Sequence, residues 1–203
     1  MSFSQTKRLL RYRMGLLRLQ NMGIKQIFSY TLGEETGVSA ELVRKDFSKF
    51  GIKGHRRGGY DIKELLIALE KIFGKDKVQN VIIIGMGNMG KALSSYKGFS
   101  EYQMNIVGGF DIDEAKLDKK FDIPVYSVSH LPEVIEAFSV SVAILTVPAN
   151  AAQQVTDSLV HNGITGILNL APVLLKVPDN VWVNNVNIMV ELERLMFHSG
   201  VLK

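Results

Sequence analysis

The apolar residues in the first third of the chain recur at the spacing of amphipathic helices. Residues 6–21 predict a first helix that ends at Gly23. Its apolar positions stand among lysines and arginines, and they are Leu9, Leu10, Met14, Leu16, Leu17 and Leu19. A short second helix is predicted over Ser29–Thr36, where Gly37 stops it.

A third helix is predicted to follow Ser39 and to carry one apolar and one polar face. The Ser39 hydroxyl can accept a hydrogen bond from a first-turn N–H group, and Glu41 suits the positive end of the helix dipole. We expect this helix to bury Leu42, Val43, Phe47 and Phe50. The residues then left to solvent are Arg44, Lys45, Ser48 and Lys49.

The segment after the third helix, GIKGHRRGG over residues 51–59, is too rich in glycine for a helix and too basic for a core. A fourth helix is predicted over Ile62–Phe73, after the capping residue Asp61. Residues 74–77, GKDK, have the composition of a linker.

From Val78 the pattern changes to short, nearly continuous apolar runs. The runs are VIIIG, NIVGGFD, PVYSV, SVAILTVP and GILNLAP, with stretches long enough for helices between them. Strands of this kind are buried on both faces, which predicts a parallel sheet with helices on each side. The end of the chain, residues 187–201, is again predicted to be helical. The predicted fold class is α/β, with units at 1–77 and 78–186 and a final helix at 187–203.

Composition narrows the class of protein. Hydrophobic residues make up 46% and charged residues 22%, as in an ordinary soluble globular protein. The chain has no cysteine, which excludes disulfides, thiolate metal sites and a cysteine nucleophile. Its first 13 residues carry charges where a signal peptide is apolar, and no apolar run reaches the roughly 18 residues of a membrane span. We therefore expect a cytoplasmic protein without a membrane segment.

The net charge of +4 is unevenly distributed. Residues 1–77 contain 16 Lys and Arg against 8 Asp and Glu, whereas the remainder contains 8 against 12. A basic N-terminal third suggests contact with a polyanion such as nucleic acid. The alternative is a basic domain that is merely well solvated.

A glycine-rich loop follows the first predicted strand of the second unit. Val81–Ile84 runs directly into GMGNMG over residues 85–90, and a helical pattern follows. In a dinucleotide-binding loop, Gly85 permits the tight turn, Gly87 lets the backbone approach a pyrophosphate, and Gly90 lets helix and strand pack closely. The alternative is a cluster of turn glycines without a ligand.

The next predicted strand, residues 106–110, ends in Asp111, 21 residues beyond Gly90. A carboxylate at this position can accept hydrogen bonds from both hydroxyls of the adenosine ribose, and it repels a 2′-phosphate. This arrangement favours NAD over NADP on a Rossmann-type domain. The alternative is an aspartate that only caps the next turn.

The sequence offers little for catalysis beside a nicotinamide, which needs a proton donor or acceptor. Thr146-Val147-Pro148 ends the fourth strand, where the nicotinamide would lie, and supplies no strong acid or base. His55 lies in the basic segment and His198 on the last helix, and we expect His130 and His161 far from the strand ends. We therefore expect a binding protein and no enzyme, metal or catalytic residue.

Taken together, several motifs resemble the bacterial family of redox-sensing repressors called Rex. They are VRKDFSKFG, GHRRGGYD, IIIGMGNMG, GGFDID, AILTVPANAAQ and GILNLAPV, and they extend over nearly the whole chain. The resemblance implies a winged helix with GHRRGGYD as its wing, then a Rossmann domain that holds NAD+ or NADH. It also implies a homodimer on double-stranded, two-fold operator DNA, with the last helix exchanged between subunits. In the family, NADH closes the dimer and releases it from DNA.

The resemblance assigns two sets of site residues. Expected to bind the nucleotide are Gly85, Met86, Gly87, Asn88, Met89, Gly90, Tyr96, Asp111, Asp113, Thr146, Val147 and Pro148. Expected to bind DNA are Arg44, Lys45, Ser48, Lys49, Lys53, His55, Arg56 and Arg57. Of these, the third-helix residues would enter the major groove, and the wing would reach the backbone or minor groove.

Two switch positions do not match the family pattern, and the order of residues in the wing and Lys49 on the third helix also depart from it. In the family, an arginine in the first helix and an aspartate before the last helix pair with each other and with a tyrosine beside the nicotinamide. Which of these pairs forms depends on the redox state of the nucleotide. In this chain Met14 and Asn187 take those positions, and only Tyr96 remains. A shift of one residue would bring Arg13 into play instead. The resemblance therefore implies a weakened or altered NADH response, or a response to another adenine nucleotide.

A function from another class stays open at this point. A small NAD-dependent oxidoreductase with a basic helical extension would share the glycine loop and Asp111. Only about 100 residues follow the glycine loop, which leaves little room for a substrate domain.

Overall fold

The structure of the protein is a computed structural model that describes residues 3–55, 58–74, 78–117 and 121–200. The chain divides between residues 77 and 78 into two compact units. Each unit has its own hydrophobic core.

In its described residues, the N-terminal unit contains four helices and a small antiparallel sheet. The helices are α1 (Phe3–Asn21), α2 (Ser29–Thr36), α3 (Ala40–Lys49) and α4 (Ile62–Phe73). The strands β1 (Gln26–Ile27) and β2 (Tyr60–Asp61) pair with each other. Helices α2 and α3, the β1–β2 sheet and the bridge between His55 and Gly59 are elements expected of the predicted winged helix.

Local capping signals fix the ends of these helices. The Ser39 hydroxyl accepts the Leu42 N–H at 3.2 Å, and the Asp61 carboxylate accepts the Glu64 N–H at 3.0 Å. Gly37, with φ +70°, ends α2 in the left-handed conformation that glycine adopts without strain. The predicted bounds of α2 and α4 are therefore confirmed.

The core of this unit is mainly apolar, and the polar residues buried beside it include Gln5, Arg13 and Asp46. Its buried apolar residues are Leu9, Tyr12, Leu16, Leu19, Ile27, Leu32, Val43, Phe47, Ile62, Leu65, Leu66 and Leu69. Leu42 and Phe50, which the sequence predicts as buried, are only half-buried. That prediction was wrong because the buried side of α3 is centred on Val43, Asp46 and Phe47, and Asp46 is only 3% exposed.

The second unit is built on a six-stranded parallel sheet. Its strands are β3 (Gln79–Ile84), β4 (Met104–Asp111), β5 (Val125–Ser127), β6 (Val142–Leu145), β7 (Gly166–Asn169) and β8 (Trp182–Asn185). The spatial order is β5-β4-β3-β6-β7-β8, so the direction of winding reverses between β3 and β6. This order is that of a Rossmann-type sheet, and the predicted α/β class is confirmed.

Helices and two short 3₁₀ turns connect these strands. The helices are α5 (Asn88–Ser94), α6 (Gly98–Glu101), α7 (Leu131–Ala137), α8 (Ala149–His161) and α9 (Ile188–His198). Along β3, alternate residues enter opposite cores, with Ile82 and Ile84 on one face and Val81 and Ile83 on the other. Because both faces are covered, the strand reads as an uninterrupted apolar run.

Helix α9 has a strong N-terminal cap but no core of its own. The Asn187 side-chain oxygen accepts the N–H groups of Met189 and Val190, at 3.0 and 3.3 Å. No residue of α9 is buried. Its exposed apolar residues are Ile188, Met189, Val190, Leu192, Leu195 and Phe197. None of the helices in the described ranges combines the length and the apolar character that a membrane crossing needs.

Candidate functional site

The loop from β3 to α5 needs two of its glycines for folding. Gly85 has φ +98°, and its N–H donates to the Phe110 carbonyl at 2.8 Å. A Cβ on Gly85 would lie 3.0 Å from the Thr146 carbonyl group, and one on Gly90 would overlap the Gly85 carbonyl oxygen. The close packing of loop, helix and neighbouring strand therefore excludes side chains at both positions.

Gly87 differs, because packing does not require it. A Cβ there would meet nothing within 4 Å, and the residue lines an open cleft. The absence of a side chain leaves the loop backbone accessible from the cleft. This is the property expected where a backbone approaches a ligand closely.

The cleft has a volume of about 560 Å³ and lies at the carboxyl ends of β3, β4 and β6. In sheets of this type, ligands bind at these ends, where the strand order reverses. The cleft is lined by seven of the residues expected to bind the nucleotide: Gly85, Gly87, Asp111, Asp113, Thr146, Val147 and Pro148.

The other expected nucleotide residues lie outside the lining of this cleft. Asn88 and Met89 are exposed in the first turn of α5, and Gly90 is buried behind them. Tyr96 follows α5, is 61% exposed, and meets Phe99 edge to face at 5.4 Å.

Met86 does not line the cleft with its side chain. Its side chain is only 3% exposed and belongs to the core on one face of the sheet. A Cβ on Gly109 would overlap the Met86 sulfur, so the methionine fills the space beside that glycine. The Met86 side chain therefore does not face the cleft, because the apolar core takes it.

Asp111 is held in its ionised form at the end of β4. Its Oδ2 accepts the Met86 N–H at 2.7 Å and the Lys116 ammonium at 2.8 Å, and its Oδ1 accepts the Asp113 N–H at 3.0 Å. Burial by itself raises the pKa of Asp111, but these three hydrogen bonds outweigh it and leave the pKa below its ordinary value.

Lys116 is a site residue that the sequence reasoning missed. It lies in the 3₁₀ turn after β4 and reaches back to Asp111, and it lines the cleft. Its positive charge offsets part of the Asp111 charge. Asp111 therefore repels a 2′-phosphate less than an isolated carboxylate would.

Thr146 holds the glycine loop against the end of β6. Its hydroxyl lies 3.0 Å from the Ile84 carbonyl oxygen and 2.6 Å from that of Gly85. The hydroxyl proton is therefore engaged by the backbone and is a poor candidate for proton transfer.

One histidine lies closer to the sheet edge than the sequence predicts. His130 comes three residues after the end of β5, so it is near a carboxyl strand end on the outer side of the sheet. The prediction failed because β5 is short and continues directly into a 3₁₀ turn. Within the described ranges, no group of His, Asp and Glu side chains is arranged to hold a metal ion.

The exposed face of α3 carries the four residues expected in the major groove. They are Arg44, Lys45, Ser48 and Lys49. A guanidinium nitrogen of Arg44 donates to the Ser29 hydroxyl at 2.9 Å, and the Lys49 ammonium donates to the Gln5 side chain at 3.0 Å. Both cations therefore have defined positions before any ligand binds.

The segment expected to form the wing is described in part. Lys53 and His55 are exposed, and His55 pairs with Gly59 through backbone hydrogen bonds of 2.7 and 3.0 Å. Arg56 and Arg57, also expected to bind DNA, lie outside the described residues.

A buried ionic cluster joins α1 to α3. The Arg8 guanidinium donates to both carboxylate oxygens of Asp46, at 2.8 and 2.9 Å, and the Tyr12 hydroxyl donates at 3.1 Å. The hydrogen bond from Arg8 contributes most to holding the pKa of Asp46 below its ordinary value. Burial, with the Asp46 hydrogen bond, raises the pKa of Tyr12 to about 12. The cluster fixes α3 against α1.

The first-helix position that departs from the family pattern is open to solvent. Met14 is 49% exposed, whereas Arg13 is 2% exposed and pairs with Glu70 of α4 at 3.4 Å. In the single chain, Arg13 therefore faces α4 of its own unit.

Two family models match the chain. Residues 4–48 match the family described as "Putative DNA-binding protein N-terminus", and residues 76–173 match "CoA binding domain". The two matches fall within the N-terminal unit and on the Rossmann-type sheet.

Curated relatives match over most of the chain. A redox-sensing transcriptional repressor Rex from Pelotomaculum thermopropionicum is 44% identical over 92% of this chain and 88% of its own. The protein of the same name from Oenococcus oeni is 41% identical over 90% and 85%.

Solved structures agree in fold over nearly the full length. The Rex-family repressor RSP in complex with β-NAD⁺ and operator DNA has a TM-score of 0.88 at 37% identity, covering 98% of this chain and 92% of that one. RSP in complex with β-NADH has a TM-score of 0.84 at 37% identity, covering 98% and 93%. With relatives above 40% identity over nine-tenths of its length, this chain belongs to the Rex family of redox-sensing transcriptional repressors.

Proposed function

We propose that this protein is a homodimeric repressor that binds a two-fold DNA operator and senses NAD(H) in the cleft beside Gly87. Residues 1–77 would bind DNA, residues 78–186 the nucleotide, and residues 187–203 the partner subunit. The observation that carries this proposal is the agreement in fold, over 98% of the chain, with RSP bound to NAD⁺ and operator DNA. The exposed basic face of α3 and the open cleft are the matching features of this chain.

The test of the function is an operator titration in the presence of each redox form. Salt-sensitive, sequence-selective binding to a duplex from its own upstream region supports the proposal. Binding that is equally weak on all sequences would overturn it.

The nucleotide site gives a prediction at Asp111. Asp111→Asn keeps an oxygen that can accept the backbone N–H groups but removes the charge. Because hydrogen bonds to a charged group contribute about 1.5–3 kcal/mol, we expect NADH affinity to fall at least about tenfold. The preference for NADH over NADPH should narrow as well. Calorimetry with both nucleotides measures each change.

The matched control for Asp111 is Glu114→Gln, which neutralises an exposed acid three residues away. We expect the control to bind NADH like the wild type. Equal wild-type affinity for NADH and NADPH would contradict the role given to Asp111.

The redox response is expected to be weaker than in an ordinary Rex. A ligand shifts an equilibrium only by its differential affinity for the two states, and a tenfold shift needs about 1.4 kcal/mol. Met14 cannot donate a hydrogen bond, and Asn187 cannot form an ion pair. Installing both charges, as Met14→Arg with Asn187→Asp, should therefore increase the release from operator by NADH relative to NAD⁺.

Met22→Arg is the control for that double variant, because Met22 is also exposed and lies just after α1. This control should leave the release from operator by NADH, relative to that by NAD⁺, as it is in the wild type. Strong release of the wild type by micromolar NADH, with NAD⁺ inert, would show that the two substitutions do not matter.

A small NAD-dependent oxidoreductase is the alternative, and the cleft argues against it. Among the described residues, the ionisable ones that line it are Asp111, Asp113 and Lys116, which cluster at the end of β4 and bond to one another or to the loop. At the end of β6, Thr146 directs its hydroxyl to backbone carbonyls. Turnover of a 2-hydroxy acid or aldehyde with NAD(H) would favour the enzyme.

A further inference from the structure

Two aromatic rings stand exposed at the beginning of α2. Phe28 is 42% and Tyr30 is 58% exposed. Their rings stack with centroids 5.6 Å apart and planes 12° from parallel. Neither residue belongs to the buried core of the N-terminal unit.

The pair lies between the two elements expected to bind DNA. Ser29 lies between Phe28 and Tyr30 in the sequence, and its hydroxyl accepts a hydrogen bond from Arg44 of α3 at 2.9 Å. On the other side, a Cβ on Gly59 would lie 3.1 Å from the Phe28 ring, so the ring rests against the end of the wing segment. The stacked rings therefore lie between the Arg44 guanidinium, which contacts Ser29, and Gly59 of the wing segment.

Folding does not explain an aromatic residue at this position. Phe28 is the N-cap of α2, where serine, threonine, aspartate or asparagine would accept a first-turn N–H. Phenylalanine has no acceptor, and α2 has no side-chain cap. Helix α2 therefore lacks the hydrogen bond of a polar N-cap residue, and the rings of Phe28 and Tyr30 expose apolar surface to water. Both features are accounted for if the rings are covered when a ligand binds.

We propose that the Phe28–Tyr30 stack packs against thymine methyl groups in the major groove of the operator. This inference rests on the proposed DNA binding. Arg44 donates to Ser29 beside the stack, and Lys45 and His55 are exposed on α3 and the wing segment, which is the charge expected on a surface that meets a polyanion. Thymine methyls project into the major groove and are the apolar groups that phenylalanine contacts there. The stack then contributes apolar contact and sequence preference, while the cations position the protein on the phosphates.

The experiment compares the wild type with the double variant Phe28→Ser with Tyr30→Ser. The probe is a duplex that the wild-type full-length protein selects from a random-sequence pool. We expect the variant to bind it at least about tenfold more weakly at fixed salt, because apolar contact is lost. The slope of log affinity against log salt should stay unchanged, since no phosphate contact is removed. Lys45→Ala, in contrast, should make the slope shallower by about one unit.

A second arm replaces thymidine with deoxyuridine throughout the duplex, which removes only the methyl groups. The wild type should lose affinity for this duplex, whereas the double variant should bind both duplexes alike. Serine at position 28 restores a favourable cap, so the variant should melt no lower than the wild type in circular dichroism. Ile67→Ser, at an exposed apolar position on α4, controls for loss of surface hydrophobicity elsewhere.

Equal affinity of the wild type and the double variant would overturn the inference, and so would a wild type indifferent to deoxyuridine. If the wild type selects no duplex at all, the proposed function fails instead. The two failures are therefore distinguishable.

Discussion

Replacing Leu192 and Leu195 with glutamate should convert the proposed dimer to a monomer. Both side chains are exposed in the single chain, at 46% and 64%, on a helix that buries nothing against its own unit. Fully burying a leucine is worth about 1.5–3 kcal/mol. A homodimer loses four such leucines, each about half exposed in the single chain, so the dimer is weakened by about 3–6 kcal/mol. This corresponds to at least a hundredfold increase in the dissociation constant. Sedimentation velocity over a range of concentrations measures it.

The control for this experiment is Glu193→Ala, a polar exposed position on the same helix. It should sediment as the wild type does. A Leu192→Glu, Leu195→Glu protein that remains dimeric at low concentration would rule out α9 as the dimer contact. Because a two-fold operator needs a two-fold protein, the monomeric variant should also lose most of its operator affinity.

Replacing Asp46 with alanine should destabilise the N-terminal unit by about 3 kcal/mol, the lower end for breaking a buried ion pair because Arg8 is partly exposed. The substitution leaves the Arg8 guanidinium without its carboxylate and the buried Tyr12 hydroxyl without an acceptor. Asp46→Asn keeps an acceptor for Tyr12, and we expect a smaller loss. Urea unfolding followed by far-ultraviolet circular dichroism measures the difference.

The chain contains an internal control for this measurement. Its one tryptophan, Trp182, lies on β8 of the second unit, so tryptophan fluorescence follows that unit alone. The fluorescence transition should keep its midpoint in Asp46→Ala. An unchanged circular-dichroism transition would show that the cluster does not stabilise the unit.

The pH dependence of this stabilisation follows from the lowered pKa of Asp46. Folding stabilises the ionised carboxylate, so the contribution is complete above the unfolded-state pKa of Asp46. It is lost as the pH falls through the lower pKa of the folded state. The difference in stability between wild type and Asp46→Ala should therefore shrink in strongly acidic solution.

Local signals were sufficient to predict much of the fold. Ser39, Asp61 and Gly37 mark helix ends through their own chemistry, and their effect does not depend on distant residues. The apolar runs predicted five strands correctly. Four of them, β3, β4, β6 and β7, contain buried residues, whereas β5 is an edge strand whose residues are half-buried. Strand β8 was missed, since WVNN is an exposed edge strand and lacks an apolar run.

The site was less predictable where residues far apart in sequence meet. The burial of Asp46 depends on Arg8 and Tyr12, which lie 38 and 34 residues away. A signal was available, because Asp46 is three residues after Val43 and so shares its face of α3. Lys116 gave no such signal: only the turn after β4 brings its ammonium back to Asp111. Met86 was assigned to the nucleotide site from its motif. Its side chain instead fills the space that the missing side chain of Gly109 leaves free.

The pairing of β3 has a consequence for how the chain is made. This central strand binds β4 on one side and β6 on the other, and Val81 pairs with Val142. A ribosome must therefore synthesise some 60 residues beyond β3 before the middle of the sheet can close. The helices α1 to α4 need no residue beyond Phe73 for their mutual contacts, and such local contacts form quickly. We therefore expect the N-terminal unit to fold during translation, ahead of the sheet that follows it.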